Sequence, residues 1–314
     1  MPVAGFRFGF HGIGSLATRR GGAGWCAVTV TYAVTALDGV AFGLLLFCIA
    51  ASLTLIFGVM DILNLAHGSL YLAGTYLAYL LSTGGLLDLA AAVAAGVAIG
   101  GVAGVALAAA MRPLTGHGHL TQALATLGIA FVAADLYLTL AGGAPLPADP
   151  PAVLSGSITL GGLGYPVYRL GFIAVAAAIA AALHLTIIRS RDGVMLRATV
   201  ADRQMAAATG IHTGRVQTVA MAAGGALAVG AGVLGAPLLG PAPGVDTTVL
   251  VLSLIVVVIG GTGSIPGTLG AALLVGQVQT VGVLAAPTFA PFALFAVLLV
   301  VLGLRQRSSR VVPA

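Results

Sequence analysis

The sequence contains no lysine and no glutamate, and only 7% of its 314 residues are charged. Ordinary soluble domains are about a quarter charged, so a chain that is 59% hydrophobic cannot hide its apolar surface in a water-soluble fold. Without lysine the chain cannot contain the phosphate-binding motif GxxxxGK[ST]. Schiff-base or general-base chemistry that depends on lysine is excluded as well. We therefore predict a membrane protein that cannot act as a conventional ATPase by itself.

Cysteine is scarce as well: Cys26 and Cys48 are the only two, and both lie among apolar residues. This pattern favours small hydrophobic side chains over a disulfide framework or a metal site. The formal charge of +5 comes from arginines beside apolar segments, which is typical of cytoplasmic membrane flanks. We expect no metal, no cofactor bound by this chain and no nucleic-acid partner.

Long uncharged intervals predict membrane spans, because a helix needs roughly 20 apolar residues to cross the hydrocarbon. The uncharged stretch 247–304 is broken by the clusters GGTGSIPG at 260–267 and APTFAP at 286–291. The predicted fold is an all-α polytopic bundle of eight or nine transmembrane helices with re-entrant or broken segments. The predicted spans are residues 38–57, 63–82, 88–110, 120–141, 169–188, 216–236, 246–261, 268–285 and 289–304.

Arginine placement predicts the sidedness of the loops. Five arginines in the loop 189–215 and three in the C-terminal tail put both segments in the cytoplasm, so the Pro/Gly-rich loop 142–168 faces outward. We divide the chain into an N-terminal extension or amphipathic segment at 1–32, a permease domain at 33–305 and a tail at 306–314. Nine spans with a cytoplasmic tail would put the arginines near the N-terminus outside, against the positive-inside rule. The side of that terminus therefore stays open.

Glycines recur at helical spacing in two spans, at Gly96, Gly100 and Gly104 and again at Gly224, Gly225, Gly230 and Gly232. Small residues at this spacing let membrane helices approach closely, because lipid provides little hydrophobic drive for their association. The pattern predicts a tight bundle.

The first polar motif, GVMDILNLAHG, places Asp61, Asn64 and His67 three residues apart, on roughly one helical face. Polar groups beside a membrane are costly and are suspected of function by default. An equally good alternative is that Asn64 and His67 cap helices or hold a glycine-hinged bend in place through hydrogen bonds to the backbone. Under both interpretations the segment is a structured break between spans.

Two further motifs lie on the predicted cytoplasmic side. The loop 189–215 combines exposed charge, an alanine-rich helix and a glycine stop, which suits docking on another protein, although positive-inside charge alone explains its arginines. The glycine-rich segment 260–267 has no lysine and no strand-to-helix context, so we expect a tight turn and not a nucleotide cradle. The candidate residues are Arg197, Asp202, Ala206, Gly210, Ile211 and Arg215 in the loop, and Gly260, Gly261, Gly263, Ser264 and Gly267 in the turn.

Together these segments resemble the LivH-type permeases of branched-chain amino-acid ABC importers over about residues 36–305. The family pattern G-x(5)-N-[FL]-A-H-G followed by G-[AST]-Y is matched from Gly58 to Tyr76, through Asn64, His67, Gly68 and Gly74. The loop resembles RA-x-x-x-D-x-x-x-A-x-x-x-G-I-N-x-x-R, with His212 where asparagine is usual. The turn resembles GG-x-GS-x-x-G. The family's Glu-Arg pair is replaced by Leu107 and Ala108, which puts its salt bridge in doubt.

The resemblance implies a non-catalytic permease subunit of an ATP-driven importer for branched-chain or other hydrophobic amino acids, in the bacterial inner membrane. Its implied partners are a second homologous permease, two cytosolic subunits that bind the ATP, an external or periplasmic solute-binding protein and lipid. The loop 189–215 would then form the coupling helix that docks on an ATP-binding subunit.

Other functions stay open at this point. Relatives of this family that carry urea, short amides or other small polar solutes share the motifs. A secondary transporter or channel usually shows buried acidic residues, for which Asp135 is the single candidate, and an intramembrane enzyme needs a clustered nucleophile and base that is not visible. Asp135 and His184 fall inside predicted spans, where a pathway and hydrogen bonds within the bundle explain them equally well. His117 and His119 are expected in a solvated cytoplasmic turn.

Overall fold

A computed structural model describes residues 23–60, 64–114, 118–261 and 263–309 of the chain. Within these ranges the protein is a bundle of eleven α-helices with one two-stranded hairpin. The elements are α1 (Ala23–Met60), α2 (His67–Leu81), α3 (Leu86–Met111), α4 (His119–Ala141), β1 (Ser157–Leu160), β2 (Leu163–Pro166), α5 (Val167–Arg189), α6 (Arg191–Ala201), α7 (Arg203–Ala208), α8 (Thr213–Gly235), α9 (Val245–Gly260), α10 (Ile265–Ala285) and α11 (Ala290–Ser309).

Each of the nine predicted spans overlaps one helix, which confirms the all-α polytopic fold. Six helices in the described ranges are long and apolar enough to cross a membrane: Val28–Met60, Leu86–Leu114, His119–Ala141, Val167–Arg189, Thr213–Gly235 and Ile265–Ala285. The helices α2 and α9 have 15 and 16 residues. At 1.5 Å per residue they extend about 22 to 24 Å, which is less than the roughly 30 Å of hydrocarbon. We predicted both as spans, at residues 63–82 and 246–261, and the structure corrects this, because neither helix is long enough to cross the hydrocarbon.

Helix α1 is the central element of the bundle and packs against α5, α8, α9 and α10. Its residues Leu45, Leu46, Phe47 and Ile49 are fully buried. The helix runs without a break through the boundary that we placed between residues 32 and 33. Residues 1–22 of the proposed extension lie outside the described part of the chain.

The glycine stripes of α3 and α8 face one another, which agrees with the close helix packing that the sequence predicts. A Cβ added to Gly100 would lie 2.3 Å from the carbonyl oxygen of Gly225, and one added to Gly225 would lie 2.2 Å from that of Gly100. At Gly104 the nearest atom would be the carbonyl oxygen of Met221, at 2.1 Å. No side chain fits between these backbones, so glycine is what brings the two helices into contact.

The predicted outward loop contains a β-hairpin that the sequence did not reveal. Strands β1 and β2 pair antiparallel, with Leu160 opposite Leu163 across Gly161 and Gly162, which have φ of 58° and 91°. Two consecutive positive φ angles are the requirement of the tight hairpin turn that matches strand twist. The strands have four residues each, too few for a clear alternation of apolar and polar side chains.

An ion pair fixes this end of the bundle. The guanidinium of Arg169, near the start of α5, contacts the carboxylate of Asp38 on α1, and their side chains are 25% and 11% exposed. The buried Tyr165 of β2 lies beside the pair. The hairpin, α5 and α1 are therefore joined at the end of the bundle opposite to the loop 189–215.

Candidate functional site

The first candidate site is the break between α1 and α2, where His67 is fully buried. The Ser52 hydroxyl of α1 donates a hydrogen bond to the Ile49 carbonyl at 2.7 Å, and its oxygen lies 2.5 Å from Nε2 of His67. Because the serine proton is already used, we assign the proton of the imidazole to Nε2, which donates to Ser52. Nδ1 has no hydrogen-bond partner in the described part of the chain.

Asn64 and His67 do not share a helical face, so this expectation was wrong. Asn64 lies in the turn before α2, and His67 is the first residue of the helix. The side-chain oxygen of Asn64 accepts the Ala66 N–H at 3.2 Å, and the Leu65 N–H donates to Thr126 Oγ1 of α4 at 3.1 Å. Side chains thus satisfy backbone groups that a break in a helix leaves open. Asp61 lies outside the described residues.

Gly68 and Gly74 allow two backbone contacts of α2. A Cβ at Gly68 would lie 2.2 Å from the carbonyl oxygen of Asp246, the second residue of α9. A Cβ at Gly74 would lie 2.1 Å from the carbonyl oxygen of Val229 on α8. The motif's glycines therefore place α2 directly against α8 and against the start of α9.

Asp246, the buried acid of this region with 8% exposure, was not among the residues predicted from the sequence. Its position at the edge of a predicted span concealed it. Asp135 is exposed on α4 and His184 is half-buried on α5, so this single chain fully encloses neither side chain. A short polar residue at the end of a hydrophobic run was the available signal for Asp246.

Tyr76 of the motif takes part in an aromatic contact with α4. Its ring stacks on that of Tyr137 with 5.2 Å between centroids and 19° between planes. The Tyr137 hydroxyl donates to the Ser69 carbonyl at 3.3 Å. Asp246 lies within electrostatic range of both phenols. Residues of α2, α4 and α9 therefore form one polar cluster inside an apolar bundle.

The second candidate site is the Arg-rich loop, which forms two helices and not the single one we expected. Asp202 separates them, and its Oδ1 accepts the N–H groups of Gln204 and Met205 at 2.8 and 2.9 Å, which caps α7. Arg197 is exposed, and its guanidinium donates to the carbonyls of Ile187 and Ile188 at the end of α5. Such contacts satisfy the open carbonyls of a helix C-terminus.

Gly210 ends this helical segment with φ of +89°, a conformation that favours glycine. The Ile211 N–H donates to the carbonyl of the buried Ala206 at 3.1 Å. Arg215 follows in the first turn of α8, where its N–H donates to the His212 carbonyl at 2.9 Å and its side chain is exposed. The sequence prediction of a glycine stop is thus matched by the backbone.

The turn motif joins α9 to α10. Gly261 and Gly263 have φ of +90° and +80°, and the Ser264 hydroxyl accepts the Gly267 N–H at 3.2 Å as the cap of α10. A Cβ on Gly267 would lie 2.2 Å from the carbonyl oxygen of Gly260. Each predicted residue of the motif therefore has a role in bringing the two helices together in a tight turn.

The motifs meet at the loop end of the bundle. A cavity of about 140 Å³ lies between α1, α5, α6 and the turn, and Gly58, Arg197, Val200 and Gly263 are among its lining residues. A Cβ at Gly58 would be 3.5 Å from Val200 and 3.8 Å from Gly263. Three segments that are distant in the sequence are thus brought together around one space.

In the described ranges, no three His, Cys, Asp or Glu side chains are grouped as metal ligands. His119 is the first residue of α4, and His117 lies outside those ranges. The free thiol of Cys48 is buried in the core of α1. Cys26 belongs to α1, but its side chain is not described.

The chain resembles proteins of one family over most of its length. The family described as "Branched-chain amino acid transport system / permease component" matches residues 35–303. No solved structure matches the chain significantly.

Individual relatives cover a similar part of the chain. The branched-chain amino acid permease protein BraD of Pseudomonas aeruginosa is 28% identical over 266 residues, which cover 78% of this chain and 84% of that protein. The LivH permease protein of Escherichia coli K12 is 29% identical over 254 residues, with 76% and 82% covered. LivH of Salmonella typhimurium is 28% identical over 263 residues, with 77% and 83% covered.

Proposed function

The chain belongs to the family of permease components of branched-chain amino acid transport systems, and from this we propose that it is the membrane subunit of an ATP-driven importer for branched-chain or other hydrophobic amino acids. The match over residues 35–303, from within α1 to within α11, is the observation that carries the proposal. The subunit itself is non-catalytic, and separate cytosolic subunits bind and hydrolyse the ATP.

We infer that the helices α6 and α7 receive the movement of an ATP-binding subunit. Val194 and Met205 expose 53% and 63% of their surfaces on these helices, which gives a partner apolar contacts. The Arg197 side chain ties α6 to the end of α5. A push on α6 would therefore move α5 and, across the cavity, the end of α1 and the turn before α10.

The complete importer would contain a second homologous permease, two ATP-binding subunits and an external solute-binding protein. The hairpin end of the bundle supports docking of the external protein, because the ion pair of Asp38 and Arg169 fixes it as one surface. The break at Asn64 and His67 then lies between the two docking surfaces. We assign the translocation pathway to this region.

The test is reconstitution of the complex in proteoliposomes, with leucine uptake and substrate-stimulated ATP hydrolysis as readouts. Gly210→Val should uncouple hydrolysis from uptake, because valine is strained at φ of +89° and the docking segment would shift. Gly214→Val is the matched control, since both glycines have open space around them and Gly214 is helical. Equal stimulation in Gly210→Val and the control would contradict the coupling role.

Two further variants test the remaining assignments. Arg197→Glu should reduce stimulated hydrolysis while membrane insertion persists, because it removes the tie between α6 and α5. Asn64→Leu and His67→Ala should impair uptake in the assembled complex. Normal uptake by both of the latter would remove the break from the pathway, and absence of leucine uptake by the wild-type complex would overturn the proposed function.

A further inference from the structure

Two short helices begin at the same place inside the bundle. The contact of Gly68 with the Asp246 carbonyl brings the first turns of α2 and α9 together, and neither helix is long enough to cross the membrane. A helix N-terminus carries about half a positive charge from its open N–H groups. In membrane transporters, broken helices direct such ends at the anionic groups of substrates.

The Asp246 carboxylate at this junction has no arginine or histidine nitrogen within 4.0 Å in the part of the chain that the structure describes. Asp246 is only 8% exposed. The Thr247 hydroxyl donates a long hydrogen bond of 3.5 Å to its Oδ1. Among the residues that the structure describes, the ion pair within 4.0 Å is that of Arg169 and Asp38. A carboxylate in an apolar bundle is costly, and the half charge at the start of α9 compensates it only in part, so its presence points to a cationic ligand.

Unused hydrogen-bond donors lie at the start of α2. The hydroxyl of Ser69, a residue 5% exposed, and Nδ2 of Asn64, a residue 2% exposed, have no partner in the part of the chain that the structure describes. Ser69 is also the residue whose carbonyl accepts the Tyr137 hydroxyl. Ser69 and Tyr76 are seven residues apart and share one face of α2, where Tyr137 contacts both, and the charge of Asp246 acts on the Tyr76 phenol.

We propose that the junction of α2 and α9 binds the zwitterionic head group of an α-amino acid. The ammonium group would lie on Asp246 beside the rings of Tyr76 and Tyr137, which attract cations through their faces. The carboxylate would accept from the Ser69 hydroxyl, Nδ2 of Asn64 and the open N–H groups of α2. This inference rests on the proposed function, and it adds that the permease itself rejects solutes without both charges, including urea and short amides.

The experiment measures equilibrium binding of radiolabelled leucine to the assembled importer in lipid nanodiscs without the solute-binding protein. Unlabelled leucine competes with two analogues: 2-hydroxy-4-methylpentanoate, in which a hydroxyl replaces the ammonium, and leucinamide, which lacks the carboxylate. Wild type should prefer leucine over each by about tenfold or more, as expected for a lost charged contact. In Asp246→Asn the preference over the hydroxy acid should be lost, while the preference over leucinamide persists.

Matched variants separate this site from a structural role. Asp246→Glu should keep the discrimination, and so should Asp135→Asn, which removes another carboxylate from a membrane helix. Ser69→Ala should reduce the preference for leucine over leucinamide and leave the preference over the hydroxy acid unchanged. This variant tests the site if Asp246→Asn does not assemble. The site is overturned if an assembled Asp246→Asn complex discriminates as wild type does. If the Asp246→Asn complex does not assemble, unchanged discrimination by Ser69→Ala overturns the site. Absence of leucine binding by wild type overturns it as well. The proposed function fails separately, when wild type with its binding protein takes up no leucine.

Discussion

Nε2 of His67, the first residue of α2, lies 2.5 Å from the hydroxyl oxygen of Ser52, two turns before the end of α1. The two residues are fully buried, and the serine also donates to the backbone of its own helix. This contact fixes the start of α2 against α1. The polar motif is therefore at least a structural lock, whatever else it does in transport.

We expect the lock to show as an energetic coupling between the two residues. A double-mutant cycle with Ser52→Ala and His67→Phe should give about 0.5 to 1.5 kcal/mol of coupling in the free energy of unfolding, the net value of one hydrogen bond. The measurement is unfolding of the purified protein in mixed detergent micelles. Additive effects of the two substitutions would show that the contact does not stabilise the fold.

The contact of α3 with α8 gives a second prediction. Gly100→Val should destabilise the protein by about 1 to 3 kcal/mol or prevent its folding, because even a Cβ would lie 2.3 Å from the Gly225 carbonyl oxygen. Gly101→Val on the same helix is the control, since its Cβ would be 3.9 Å from the nearest atom, the Ala222 carbonyl oxygen. Equal unfolding midpoints for the two variants would contradict the packing argument.

The same glycines illustrate what the sequence predicts well. Gly96, Gly100 and Gly104 are spaced by four residues and so form one small-residue face of the helix. In a membrane helix such a face indicates close contact with another helix. Span positions follow equally directly, because the length of an apolar run is a property of the chain alone. The nine predicted spans accordingly coincide with nine helices of the described ranges.

Partnerships between distant segments could not be read from the sequence. Nothing near Asp246 indicates that its helix begins against Gly68, and nothing near Arg197 indicates that it caps α5. Both contacts depend on how complete helices pack, which local spacing does not encode. The β-hairpin was missed for a different reason, because two strands of four residues are too short for periodicity to stand out.

His212 gives a prediction of increased stability. It occupies the N-cap position of α8, but its side chain makes no capping hydrogen bond. Asparagine, the residue usual at this point of the family pattern, has a side-chain oxygen that accepts N–H groups of the first turn. His212→Asn should therefore raise the free energy of unfolding by about 0.5 to 1 kcal/mol.

The measurement for His212→Asn is its unfolding midpoint beside those of wild type and His212→Ala. Alanine removes the imidazole without supplying a cap, so it should leave the midpoint at or below that of wild type. If His212→Asn is no more stable than His212→Ala, the cap does not form.

Tyr165 gives a prediction for alkaline pH. The phenol is buried on β2, outside the membrane helices, and burial together with the negative charge of Asp38 raises its pKa above the ordinary value. The unfolded chain then loses this proton first, near pH 10, while the folded protein keeps it. The contribution of the neutral phenol to stability is therefore complete below about pH 10 and is lost as the pH rises further, by at most about 1.4 kcal/mol per pH unit. We expect the unfolding midpoint of wild type to fall more steeply above about pH 10 than that of Tyr165→Phe. Tyr79→Phe, at a position 42% exposed, controls for the loss of a phenol and should keep the wild-type slope. Parallel pH profiles for wild type and Tyr165→Phe would show that this tyrosine does not link alkaline pH to unfolding.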